Sequence, residues 1–417
     1  MSVAFRPGRA DEVHALVELQ MHSFPAPGRD RRWWEEFVTS GPHGGVETLW
    51  VGEEEGRPVA VCQLYRKNQW IARREIPVMC LGGVAIAPTR RRRGLAGRMI
   101  QAGFREALDR GDVASALYPF RVAFYSGLGY GLAGTAHQYH VPPDQFPDDR
   151  EVRDRLRLVS TPEDEALMRA VYAAGARRDT GQFVRDERSW RNAWPGTPDH
   201  AGILVMGDDG AAEGYMIVRY RADLPITERY LEVEERMWLT PRAQRGIYAF
   251  LASVSDQWRE VLYRAHPDEL FVEQLSEPRL PQLAEPGWRL WFPSAVLLRG
   301  PMFRLLDVPA ALEMRTAIKG TDLTMELEVE DEQIPENRGP WRVRIEDGQI
   351  HIQPGGDGGH RDVHLRTNVE TLSRIYVGAI SPGQAVGAEL AVIDRREALP
   401  ALNTSLRVPR PWTFDRF

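Results

Sequence analysis

The sequence predicts an α/β (α+β) fold: two copies of one strand–helix domain, then a third domain of different texture. Three observations carry this. An apolar run, Val78–Ala87, leads through a basic, glycine-bearing turn into a helical stretch and then a second strand, Ala114–Tyr118. Such alternation marks an α/β unit. Features of this unit return roughly 150 residues later, and repetition at that scale marks tandem copies of one fold. From about Arg299 the pattern turns to half-buried strands with short helices between them.

At 417 residues the chain exceeds one ordinary domain, and two or three are expected. Boundaries are placed at 1–145, 146–296 and 297–417. The Pro142-Pro143-Asp144 and Pro147-Asp148-Asp149 breaks set the first of them. Met1–Pro7 has no apolar core of a signal peptide, and no apolar run reaches the length that spans a bilayer. Cys62 and Cys80 are the only cysteines and lack metal-ligand spacing, so neither a disulfide nor a metal is expected. A reducing cytoplasm is the expected location. The formal charge of -6 speaks against a nucleic-acid partner, and nothing calls for a membrane partner.

The first segment carries the chemistry. Ala96, Ile100, Phe104, Ala107 and Leu108 recur at helical steps, and Gly111 sits where a C-cap belongs. The tract Arg91-Arg92-Arg93-Gly94-Leu95-Ala96 therefore lies between a strand and a helix N-terminus. Free N–H groups and the helix dipole make that turn an anion site, suited to a pyrophosphate. Each charge-assisted hydrogen bond there contributes about 1.5–3 kcal/mol. Arg90–Arg93 also fits a nucleic-acid patch or a solvated face, but there is no second basic cluster of this density.

The second segment echoes the first. Gly52–Gly56 leads into Val59–Tyr65, as Gly207–Gly210 leads into Gly214–Tyr220. Ala87-Pro88-Thr89 and Arg93-Gly94-Leu95 are echoed by Thr240-Pro241-Arg242 and Arg245-Gly246-Ile247. The second loop is shorter by a residue, and Ala243 and Gln244 replace arginines. It should bind pyrophosphate poorly, so this copy reads as degenerate and structural. In the third segment, Pro309–Ala317 and Leu365–Val377 read as helices. Leu323–Glu330, Trp341–Ile345 and His351–Gln353 read as strands, and Glu389–Ile393 as a short apolar element.

Arg91-x-x-Gly94-x-Ala96, with Val84-Ala85-Ile86-Ala87-Pro88 before it, resembles the acyl-CoA motif of the GNAT acetyltransferases. Phe124-Tyr125-Ser126-Gly127-Leu128-Gly129-Tyr130-Gly131 resembles a later segment of the same family. In the third segment, Asp331…Asn337-x-Gly339-x-Trp341 and Tyr376-x-Gly378 resemble the sterol carrier protein-like fold. A GNAT domain, a degenerate GNAT domain and a sterol carrier protein-like tail together resemble the Eis-type N-acetyltransferases, as does the ending Pro411–Phe417.

The resemblance implies transfer of an acetyl group from acetyl-CoA to a primary amine of an aminoglycoside, a polyamine-like small molecule or a lysine. It implies that backbone groups of Val84, Ala85 and Ile86 hold the pantetheine arm. Arg91, Arg92, Arg93, Gly94, Leu95 and Ala96 would hold the pyrophosphate. It makes Tyr125 the general acid for the departing thiolate and the terminal carboxylate of Phe417 the base or orienting group. It also implies a homo-oligomer, a hexamer among the family's forms.

Read from the residues alone, Tyr125 is equally a packed aromatic, Tyr130 is its neighbouring alternative, and a chain end is ordinarily frayed. Phe24, Trp33, Trp34 and Phe37 are candidates for the acceptor wall, through apolar and cation–π contact. The spacing of Trp33, Trp34 and Phe37 also fits one buried helix face. Arg121 and Arg416 flank the catalytic candidates; left uncompensated they would repel a polycationic aminoglycoside, while Asp415 and other carboxylates are candidates to offset them. Two other readings stand beside the enzyme: a lipid- or sterol-binding protein using the third domain, and a nucleic-acid binder using Arg90–Arg93.

Overall fold

The computed structural model describes residues 3–194, 196–279, 291–356 and 358–417. The first copy runs β1 (Ala4–Pro7), α1 (Val13–Ser23), α2 (Arg31–Ser40), β2 (Leu49–Glu54), β3 (Arg57–Ile71) and β4 (Arg74–Ile86). It continues through α3 (Leu95–Asp109), β5 (Ala114–Leu117), α4 (Val122–Ser126), β6 (Gly131–Leu132) and β7 (Thr135–Val141). The β2–β3 hairpin turns on Glu55 and Gly56, both at positive φ. Helix α3 buries Leu95, Met99, Ile100, Gly103, Phe104 and Ala107 against the sheet, and Gly111, at φ 82, lies just past its end. A Cβ on Gly103 would come within 2.8 Å of Leu64, so glycine is what lets helix and sheet meet there.

The second copy repeats the order. It contains α5 (Arg150–Arg153), β8 (Leu156–Leu158), α6 (Pro162–Ala176), α7 (Glu187–Ala193), β9 (His200–Met206) and β10 (Ala212–Tyr220). Then come β11 (Leu231–Trp238), α8 (Pro241–Ser253), β12 (Val261–Ala265) and β13 (Val296–Arg299). The echo read in the sequence is thus β3 against β10 and the start of α3 against the start of α8.

The two sheets exchange a strand. The first has the order β1-β2-β3-β4-β5-β14-β6 and the second β13-β7-β12-β11-β10-β9-β8, where β14 is Met302–Leu305. Strand β7 leaves the first copy and pairs with β12, while β14 returns between β5 and β6. Sheet membership therefore crosses the lines drawn at 145 and 296.

The third region adds α9 (Val308–Met314), β15 (Leu323–Glu330), β16 (Trp341–Glu346), β17 (Gln349–Pro354), β18 (Val363–Asn368) and α10 (Val369–Tyr376). It closes with α11 (Pro382–Gly387), β19 (Ala391–Ile393) and α12 (Leu399–Ser405). Its sheet has the order β17-β16-β15-β18-β19. The helix expected over Leu365–Val377 is corrected here: Leu365–Asn368 belongs to β18, parallel to β15. Val363-His364-Leu365-Arg366-Thr367-Asn368 alternates with period two, and the Asn368 side chain then caps α10 through Thr371 N. Helix α9 also stops at Met314, short of the expected Ala317.

The core of the third region is continuous with the first sheet. Ile71, Ile76, Val78 and Ala114 pack in one cluster with Leu327, Leu365, Leu372 and Tyr376. Arg304 of β14 is fully buried and pairs with both oxygens of Asp331 at 2.8 Å. Asn337 bonds that carboxylate and accepts from Val308 N. The Asp331…Asn337 motif is a buried pin between sheets.

Candidate active site

The β4–β5 ladder runs from Val78↔Ala114 to Leu81↔Leu117 and stops, while β4 continues to Ile86. Gly83, at φ 56, sits in a bulge where the β3–β4 register shifts. Buried Gln20 of α1 donates to the Gly83 carbonyl at 3.0 Å and fixes the bulge. Beyond it, Val84 and Ile86 are half-buried on the α3 side, and Ala85 is buried on the α1–α2 side. The opening left beside Val84–Ile86 presents backbone groups to an extended chain, as an added strand would meet them.

The loop after β4 leads into the N-terminus of α3. Arg92 lies at φ 61 and Gly94 at φ 70, and no side chain caps the helix. An uncapped helix N-terminus behind two left-handed residues is a concave cluster of N–H donors that fits a pyrophosphate. The arginines divide. Arg90 bonds Glu54 at 2.6 Å, and Arg91 donates to the carbonyls of Ile86 (3.2 Å) and His22 (3.0 Å). These two brace the loop. Arg92 and Arg93 are exposed, and among the described residues no carboxylate pairs with them. Leu95 points into the core and Ala96 is half-buried.

The second copy keeps the splay but fills it. Its β11–β12 ladder covers only Leu231↔Val261 and Glu232↔Leu262. Arg236 is buried beyond it, bonded to Glu269 at 2.5 Å and lying over the rings of Tyr263 and Trp412. Helix α8 is capped by its own Thr240, which accepts from Ala243 N. Arg242 is held by Asp208 and Arg245 by Asp149.

Tyr125 lies in α4, 3 % exposed. Its ring meets Phe120, Phe124 and Tyr130 with centroids 5.0–6.0 Å apart. Burial pushes its hydroxyl above the ordinary tyrosine range, and among the described residues no group hydrogen-bonds it. Tyr130, the neighbouring alternative, is fully buried with its hydroxyl paired to Ser115 at 2.6 Å.

The chain end threads between the first two copies. Trp412 N donates to Thr180 O, and a Cβ on Gly181 would strike the Trp412 backbone at 2.5 Å. Asp415 is buried, accepting from Arg185 at 2.8 Å and from the Tyr172 hydroxyl at 3.0 Å, while Arg185 also pairs with Glu235. The Tyr118 hydroxyl donates to the Asp415 carbonyl at 2.8 Å. Phe417 then packs on Tyr118 (4.8 Å) and Phe183 (4.6 Å). Phe417 thus packs on Tyr118, and Tyr125 on Phe120, two residues that follow β5 in the chain. Arg416 turns outward to Glu234, and Arg121 is exposed at the start of α4.

Of the four aromatic residues expected at an acceptor wall, Trp33 and Phe37 stack at 5.2 Å and line an open recess of about 310 Å³. Trp34 is 3 % exposed and packs inside the α1–α2 layer, with half-buried Phe24 against it at 6.3 Å. Their helical spacing turns Trp34 inward and the other two outward. A larger cleft of about 460 Å³ adjoins this recess and includes His43, Tyr65, Lys67 and Asp186. Sequence reasoning missed all four. His43 stacks on Tyr65 at 4.5 Å; burial, with Lys67 adding to it, pulls the imidazole down to about 4. Both cysteines are buried, and burial pushes their thiols up, away from any nucleophilic role.

Comparison with known proteins agrees with this fold. Residues 4–133 match a family model described as an acetyltransferase (GNAT) domain. Residues 181–299 match a second such model, and residues 308–413 a sterol carrier protein domain. An uncharacterized N-acetyltransferase of Streptomyces griseus is 26% identical over 391 residues, 87% of this chain and 88% of its own. N-acetyltransferase Eis of Mycobacterium tuberculosis is 26% identical over 365 residues, 83% of this chain and 82% of its own. Among solved structures, a GCN5-related N-acetyltransferase from Anabaena variabilis superposes with TM-score 0.84 at 20% identity, over 100% of both chains. Eis1 from Mycobacterium abscessus superposes with TM-score 0.77 at 18% identity, also over 100% of both. Fold and sequence define the class: an acetyltransferase of the GNAT kind. Within that class, the chain is an Eis-like N-acetyltransferase with two GNAT domains and a sterol carrier protein domain.

Proposed function

We propose that the chain transfers the acetyl group of acetyl-CoA to a primary amine of a small molecule or a protein lysine, by direct attack. One observation carries the reading: the splayed end of β4 and the uncapped N-terminus of α3 form one continuous cradle. Backbone groups of Val84 and Ile86 hold the pantetheine arm. The N–H groups of Gly94–Ala96, with Arg92 and Arg93, hold the pyrophosphate. The amine nitrogen forms its bond to the thioester carbon, and the C–S bond breaks. Tyr125 gives its proton to the leaving sulfur. Burial keeps that hydroxyl protonated, and the same apolar surroundings raise the thiol's affinity for the proton. The Phe417 carboxylate orients the ammonium and relays its proton to water. With a reference pKa near 3.5, it acts by charge more than by full abstraction.

The third domain serves this reading as a scaffold. Leu327, Leu365 and Tyr376 are fully buried in a core shared with the first sheet, which favours a support for the chain end over a lipid carrier. A nucleic-acid role is disfavoured because Arg90 and Arg91 are spent on the protein itself. Among the described residues no helix is long and apolar enough to cross a membrane, and no group of three His, Cys, Asp or Glu gathers for a metal. Residence in the cytoplasm is proposed from the two free cysteines, and a homo-oligomer from the family resemblance.

Isothermal titration of the untagged protein with acetyl-CoA tests the reading, followed by amine-dependent thiol release. One micromolar site per chain is expected, and deleting Phe417 should abolish turnover while binding persists. No binding would overturn the reading, and full activity with an extended C-terminus would remove the terminal carboxylate from the mechanism.

A further inference from the structure

We propose that the accepted amine carries an anionic group of its own, held by Lys67 and Arg188 in the cleft beside Phe417. The inference rests on the acetyltransfer reading and narrows its substrate class. The cleft of about 460 Å³ lies between β3 and the segment that precedes α7. Buried Phe183 stands between the cleft and the chain end, its ring 4.6 Å from Phe417 and 5.9 Å from Lys67 Nζ.

Four cations line it: Arg66, Lys67, Arg185 and Arg188. Two are neutralised. Arg66 lies 3.1 Å from Asp112, and Arg185 is enclosed by Asp415 and Glu235. Lys67 is half-buried, and its bond is to the neutral Ser189 hydroxyl at 2.7 Å. Among the described residues no carboxylate lies within ion-pair distance of it. Arg188 has Glu47 at 4.0 Å, with both side chains at least half exposed, a contact of little strength. Asp186 is the carboxylate of this lining, and its Oδ1 already caps α7 through Ser189 N (2.8 Å) and Oγ (2.6 Å). Asp186 faces the Lys67 ammonium only through the Ser189 hydroxyl, so a half-buried ammonium with no direct ion pair, beside the loosely held Arg188, leaves room for an anionic group of the ligand. The Phe417 carboxylate supplies the opposite pole for the reacting ammonium. The site therefore complements a zwitterion with a carboxylate or a phosphate, and it repels a polycation.

Matched pairs of amines test this with the untagged full chain. Tyrosine against tyramine differs by a carboxylate, and phosphoethanolamine against ethanolamine by a phosphate; putrescine and spermidine supply the polycations. A charged hydrogen bond is worth ~10- to 100-fold in specificity, so at least one anionic member should exceed its neutral partner in kcat/KM by ~10-fold or more. The pair that responds tells carboxylate from phosphate. Lys67→Glu should reverse the order and admit putrescine. Arg188→Glu is the second variant, on an exposed side chain that folding does not need. Acetyl-CoA titration of each variant reports whether the first domain is intact. Polycations turned over fastest by the unaltered protein, or a ranking unmoved by either charge reversal, would overturn the proposal while leaving acetyltransfer standing. Absence of acetyl-CoA binding, or of turnover with every amine, would remove both.

Discussion

Tyr125 and His43 show how burial sets the chemistry of single groups. The Tyr125 hydroxyl lies in an aromatic nest and stays protonated through the neutral range. Tyr125→Phe should lower kcat by about 10²–10⁴ with acetyl-CoA affinity unchanged, since only proton transfer is lost. An unchanged rate would remove the residue from the mechanism. His43 titrates near 6.5 when unfolded and at about 4 in the fold. The unfolded chain therefore binds the extra proton first, so stability rises with pH between those values and is lost as pH falls through them. The effect is at most roughly 3 kcal/mol. His43→Phe, which keeps the stack on Tyr65, should flatten that dependence in urea midpoints measured across the window. Both catalytic candidates were legible as residues, because a motif or a chain end marks them. Gln20, His43 and Lys67 were not. Their roles depend on packing across the fold, as in the Gln20–Gly83 bond that spans 63 positions.

At the scale of elements, the proposed function rests the holding of the nucleotide on the loop between β4 and α3. Gly94 sits at φ 70 with nothing near its missing Cβ, so Gly94→Ala adds backbone strain without a clash. A cost of about 1–2 kcal/mol is expected in stability. Acetyl-CoA affinity should weaken with it, as the first-turn N–H groups tilt; calorimetry on the variant checks both. This loop and α3 could be read directly, since apolar spacing, Gly94 and Gly111 are local signals. So could β15, whose alternation matches its expected bounds. The stretch after Val363 could not, because apolar residues at its start serve a strand and those at its end a helix. What separates them is Asn368, a cap that also reads as an ordinary polar residue.

Across the whole molecule, connectivity overrides the order of the sequence. Three textures along the chain were readable, and the echo of one copy in the next was sound. The exchange of β7 for β14 was not, since a short apolar strand does not declare which sheet it will join. Residues 1–145 made alone should lack a partner for the facing edges of β5 and β6. That fragment is expected to show no cooperative melting transition, whereas the full chain does; a fragment that melts cooperatively would contradict the exchange. The same feature bears on how the protein is born. A ribosome that has finished β6 at Leu132 must add about 170 residues before Met302 emerges. At ~5–20 residues per second that is a wait of roughly 10–35 s. Through that interval the catalytic sheet stays open along two edges in the nascent chain, so its safe completion depends on the pace of synthesis and on whatever shields those edges meanwhile.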